Sequence, residues 1–128
     1  MILYLWVALG SAIGGAARYG LGDLAARLWG PAFPWGTLLI NILGSFVIGG
    51  FGALTGPGGA VAASPSLRIF VMVGLCGGFT TFSAFSLQTV NLARDGSWGG
   101  ALANVLLSVV LCLAATVLGI YAGARFRG

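Results

Sequence analysis

The chain has no histidine, no glutamate and no lysine. Its only acids are Asp23 and Asp95, both near the ends of apolar runs. Proton-coupled transport needs a titratable group deep in the membrane, and hydrolysis needs a nucleophile activated by a base. Both classes are excluded, whereas passive conduction down an ion's own gradient requires no such group. Charged residues make up only 6% of the chain, too few for the surface of a soluble domain. The pI of about 9.8 reflects six arginines against two aspartates and no basic module, so a nucleic-acid-binding or separate catalytic domain is excluded as well. Cysteine is scarce: Cys76 and Cys112 both lie inside apolar runs, where a thiol more often packs than forms a disulfide or a metal site. No chemistry is assigned to them.

Hydrophobic residues form 59% of the 128. They gather in runs over roughly 2–22, 36–54, 68–92 and 99–122, each near the length of about 20 residues that crosses a bilayer. The pattern predicts an all-α membrane protein, a single four-helix domain over 1–128. Its spans are TM1 about 2–29, TM2 about 34–54, TM3 about 67–94 and TM4 about 98–124. The first run has no basic segment before it and no clear cleavage site after it, so it reads as a retained span and not a signal peptide. Gly30-Pro31 and Pro34, the stretch from Gly56-Pro57 to Ser64-Pro65, and Asp95-Gly96-Ser97 punctuate the connections.

With four spans, Arg68, Arg125 and Arg127 share one side and Arg18, Arg27 and Arg94 the other, three against three. Orientation follows a Lys/Arg excess on one side. The tie gives little instruction, which suggests dual topology, two copies inserted in opposite senses. Four short helices also offer little surface with which to enclose a polar path, so an oligomer is expected. Small residues in TM1 (Gly10, Gly14 and Ala17, with Ser11 and Gly15) permit close helix approach, either between copies or within one.

Polar groups within the spans mark where such a path would run. Thr37, Asn41 and Ser45 recur every four residues in TM2, as do Asn104, Ser108, Cys112 and Thr116 in TM4, so each set stacks on one helix face. Interhelical hydrogen bonding at about 0.6 kcal/mol per bond and a lined path both account for one such stripe. Two stripes beside an irregular TM3 favour the path. From Leu67 to Arg94 a continuous helix would run roughly 42 Å at about 1.5 Å per residue, against a hydrocarbon core of about 30 Å. Adjacent Gly77-Gly78 offers a place to leave the helix, so TM3 is expected to be broken near 77–81. A break frees carbonyls that suit a cation and amides that suit an anion. Phe82 and Phe85 follow on one face. They are either ordinary packing residues or a pair of electropositive ring edges that face an anion without trapping it.

Three segments, Gly14-Gly15-Ala16-Ala17-Arg18-Tyr19, Gly36-Thr37-Leu38-Leu39-Ile40-Asn41-Ile42-Leu43-Gly44-Ser45-Phe46 and Gly74-Leu75-Cys76-Gly77-Gly78-Phe79-Thr80-Thr81-Phe82-Ser83, taken in order in a chain of this size, resemble the Fluc (CrcB-type) fluoride channels. The resemblance runs through all four spans. It implies a multi-pass protein of the cell inner (plasma) membrane, an antiparallel dual-topology homodimer with two fluoride-selective pores, exporting fluoride passively and lowering its toxicity. By motif match, Asn41, Phe82 and Phe85 would line the pore, with Ser83 and Ser108 as the best hydroxyl candidates and Thr37 on the same TM2 stripe. Backbone carbonyls of Gly77 and Thr80 would hold a structural Na+ at the dimer centre. Arg18 would sit at the mouth of the aqueous approach, or serve a structural role. The chain departs from the family's common Phe-Ser-Thr-Phe at Ala84, which removes one hydroxyl.

Two other classes share parts of this pattern. A small dual-topology drug antiporter also has four short helices, but it needs a membrane-embedded glutamate that is absent here. A structural subunit of a larger membrane complex would use the polar stripes only as helix contacts, and conduction by the purified chain separates it from a channel.

Overall fold

Hydrocarbon offers no hydrogen-bond partners, so a spanning backbone must pair its polar groups within the protein, and the chain answers with helices. The computed structural model describes residues 1–126; Arg127, counted in the charge tally, lies outside the described residues. Among the described residues, four helical segments are long and apolar enough to span a membrane: Ile2–Trp29, Trp35–Thr55, Pro65–Arg94 and Trp98–Ala124. We denote as α1 Ile2–Trp29 and as α2 Trp35–Thr55. The third span comprises α3 (Pro65–Arg68), a π-helical stretch Ile69–Cys76, α4 (Gly77–Phe79) and α5 (Phe82–Arg94), and α6 is Trp98–Ala124.

Local chemistry sets the ends. Gly30 closes α1 with φ 76° and Gly96 turns α5 into α6 with φ 84°, values that favour glycine because it has no Cβ. Ser64 caps the third span by accepting from the Leu67 amide, with Pro65 at the first helical position.

Two close helix pairs organise the bundle. The more extensive joins α2 to α6, where a Cβ on Gly49, Gly119 or Gly123 would collide with the backbone of Thr116, Phe46 or Gly50. The other joins α1 to the first half of the third span. A Cβ on Gly10 would lie 2.6 Å from the Phe70 carbonyl oxygen and one on Gly78 2.7 Å from the Ser11 Cα, while one on Gly14 would strike the Leu75 carbonyl. Lipid tails are as apolar as leucine, so helix association in a membrane relies on such close van der Waals packing. Of the two arrangements open for the small residues of TM1, the one within a single copy accounts for Gly10 and Gly14. Nothing lies within 4 Å of the Cβ position of Gly15.

Helical dihedrals persist through Gly77 and Gly78, so the glycine pair is not where the backbone departs from helix. The extended residues are Thr80 (φ −82°, ψ 159°) and Thr81 (φ −153°, ψ 119°). Glycine tolerates a break without imposing one, and Gly78 is needed instead for its approach to Ser11.

Candidate ion pathway

Extended backbone at apolar depth must find partners for its N–H and C=O groups. Asn41, two turns into α2, supplies them. The Thr81 amide donates to Asn41 Oδ1 at 2.8 Å, and Asn41 Nδ2 donates to the Thr81 carbonyl at 3.0 Å. The side-chain amide thus pairs with a peptide group as a neighbouring strand would. Asparagine is the shortest side chain able to do this, with one donor and one acceptor on a planar head. The NH2 group carries a second proton, for which the described residues supply no hydrogen-bond partner. The Thr80 hydroxyl donates to the Cys76 carbonyl at 2.8 Å, and Thr81 Oγ1 caps α5 by accepting from the Ala84 amide at 3.2 Å.

Arg18 reaches the same region from α1. Its Nε donates to the Gly78 carbonyl at 3.1 Å, placing a cation at the C-terminal end of the first half of the third span, where the helix dipole favours positive charge. Arg18 also borders an outer cavity of about 680 Å³, lined as well by Thr37, Asp23, Gln88, Asn91 and Asp95. One side chain thus both bonds the third span's backbone and lines this cavity.

A second cavity of about 400 Å³ lies deeper, lined by Asn41, Ser45, Thr80, Phe82, Phe85 and Ser108, with Gly77, Cys76 and Cys112 also on its wall. The Phe82 and Phe85 rings are 5.3 Å apart between centroids and tilted by 50°. Phe85 is half-buried, whereas Phe82 is 78% exposed in the single copy. The structure therefore brings together Asn41, Phe82, Phe85 and Ser108 with both Gly77 and Thr80. It does not bring Thr37 to them, since that residue lines the outer cavity. Nor does Ser83 reach this cavity: it is exposed, with its hydroxyl 3.3 Å from that of Thr81.

Sequence reasoning gave no role to Gln88, whose Oε1 is buried beside the outer cavity without a hydrogen-bond partner among the described residues. Gln88 and Asn91 fall near the end of a span, where polar side chains are ordinary, so the spacing gave no signal by which to find it. Asn104 in α6 was one of a polar stripe, but nothing in the spacing identified its partner, Thr89.

The match to known proteins covers this whole arrangement. The model of the CrcB-like protein, Camphor Resistance (CrcB) family matches residues 5–120. The chain belongs to the CrcB family. Among curated relatives, a protein of Opitutus terrae is 56% identical over 119 residues, 93% of this chain and 90% of its own length. One from Methylocella silvestris is 58% identical over 116 residues, covering 91% and 88%, and one from Rhodospirillum rubrum is 57% identical over 116, covering 91% and 90%. Each of the three is described as the fluoride-specific ion channel FluC. The CrcB match extends over all four long apolar helices, and the chain is a multi-pass membrane protein.

Proposed function

We propose that this chain is a fluoride-selective passive channel that lets the membrane potential expel fluoride from the cytoplasm across the inner (plasma) membrane. The observation that carries the reading is 56–58% identity, over about nine-tenths of the chain, to CrcB-family proteins described as fluoride-specific channels. The deep cavity supports it chemically. Fluoride is small and strongly hydrated, so a selective path must replace its water with donors. Asn41 has a second Nδ2 proton beyond its pairing with Thr81, Ser108 adds a hydroxyl, and Phe82 and Phe85 add electropositive ring edges. A path too narrow for chloride then selects by size. Arg18, at the wall of the outer cavity, raises the local anion concentration near Thr37.

The functional assembly in this proposal is an antiparallel homodimer. The balanced arginines support it, as does the exposure of Phe82 and Ser83, which a second copy would cover. The third span acts as a broken helix whose interruption faces both the path and the partner. The same interruption fits a structural Na+. The Thr81 amide, which would close the next helical bond to the Gly77 carbonyl, donates to Asn41 instead, and Gly77 is exposed with open space around it. The Ala84 amide is likewise taken by Thr81 Oγ1, away from the Thr80 carbonyl. These two oxygens, with the same two from a second copy, would hold the hard cation. When bound it would neutralise the carbonyl ends of both interruptions.

The test is efflux from liposomes reconstituted with the purified chain, read with a fluoride electrode and a chloride control. Fast fluoride loss without chloride loss is expected. Folded protein that releases no fluoride would overturn the reading and favour a structural subunit.

A further inference from the structure

Two polar residues not used by the path described above, Thr89 and Asn104, link two that are, Phe85 and Ser108, and the proton order of the link is fixed by chemistry. The Thr89 hydroxyl donates to the Phe85 carbonyl at 2.7 Å. Having given its only proton, that hydroxyl can only accept, and it accepts from Asn104 Nδ2 at 2.8 Å. The amide is thereby oriented, with Oδ1 turned toward Ser108, whose hydroxyl lies 3.5 Å away with its proton directed to Asn104. Asn104 is only 2% exposed and Ser108 8%, and Ser108 borders the deep cavity.

We propose that Asn104 is a positioning residue for the ion path, fixing Phe85 relative to α6 through Thr89 and setting the direction of the Ser108 proton. This inference rests on the fluoride-channel reading. The links differ in strength. Those to Thr89 and Phe85 have ordinary lengths, but the Ser108 contact is long for an O–H···O bond, whose usual limit is about 3.0 Å. The strong pair locks the second half of the third span to α6 beside the aromatic pair. The weak one leaves the Ser108 proton able to turn from Asn104 Oδ1 to an anion in the cavity, and back when the anion leaves. Ser108 thus exchanges one acceptor for another and is never left without one.

The test compares fluoride efflux per folded channel for wild type, Asn104→Leu, Thr89→Val, Thr89→Ser and Ser108→Ala, with size-exclusion profile and thermal unfolding measured on each. Thr89→Val should lower turnover roughly three- to tenfold, the scale of the one interhelical hydrogen bond among the two it loses, and Thr89→Ser should restore it because the hydroxyl returns. Asn104→Leu should lower turnover by a similar factor, and adding Ser108→Ala to it should lower turnover less than Ser108→Ala does in wild type. Wild-type turnover in folded Thr89→Val, or loss in Thr89→Ser as deep as in Thr89→Val, would overturn the inference. If Asn104→Leu does not fold, the Thr89 pair decides alone. Failure of wild type to pass fluoride would instead defeat the function reading, so the two failures are distinct.

Discussion

Residues 69–79 of the third span lie against α1 backbone to backbone, whereas residues 81–94 are tied to α2 and α6 by two asparagine side chains, Asn41 on Thr81 and Asn104 on Thr89. The first arrangement is steric: glycines at 10, 14, 74 and 78 leave no room for a Cβ. The second depends on a few part-buried hydrogen bonds within the spans, each modest when formed but worth about 1–3 kcal/mol per buried group left unpaired. A rigid support on one side of the Thr80-Thr81 interruption and a hydrogen-bonded lever on the other is a suitable frame for a site that must be held open yet exchange its partners.

That contrast is most severely tested on the steric side. Gly14→Val should abolish folded protein, since its side chain would enter the backbone of Leu75 and Phe79, whereas Gly15→Ala one residue on should give a normal yield by size exclusion. On the hydrogen-bonded side, Asn41→Ala strips partners from both Thr81 groups. It should destabilise the fold by about 2–5 kcal/mol in a thermal or denaturant assay and remove fluoride flux in whatever protein remains folded. Arg18→Gln stands between the halves. It loses a charge-assisted bond to Gly78 and the field at the outer cavity, so flux should fall several-fold and become less sensitive to ionic strength. The smallest effect is expected at Arg27, whose pair with Asp23 at 2.9 Å is largely exposed. Arg27→Gln should change stability by less than about 0.5 kcal/mol and leave flux unchanged.

The four spans were legible because an apolar run of bilayer length with so few charges has almost nowhere to go but into lipid. The detail of the third span was not. Gly77-Gly78 drew attention as a break, but the glycines are helical and the two threonines after them are extended, because the pairing offered by Asn41 from forty residues away decides where the helix yields. Nothing in Ile69–Cys76 announces a π-helix. The spacing of the TM2 stripe puts it on one face, and Asn41 and Ser45 do share the deep cavity. Four residues are also about 6 Å of rise, enough to carry Thr37 into the outer cavity. In TM4 the same spacing hid different tasks: Asn104 faces α5, Ser108 and Cys112 border the deep cavity, and the Thr116 hydroxyl turns back to the Cys112 carbonyl at 3.0 Å. Periodicity identifies a face, while the partner on that face is a tertiary fact.

The central claim is that fluoride passes through the cavity bordered by Phe82 and Phe85. Its most direct test is fluoride-electrode efflux from liposomes carrying equal amounts of folded wild type, Phe82→Ile and Phe85→Ile. The account predicts fast efflux from wild type and a loss of at least about tenfold, one ring interaction's worth at roughly 1.4 kcal/mol, in each variant. Wild-type efflux from both variants would contradict it.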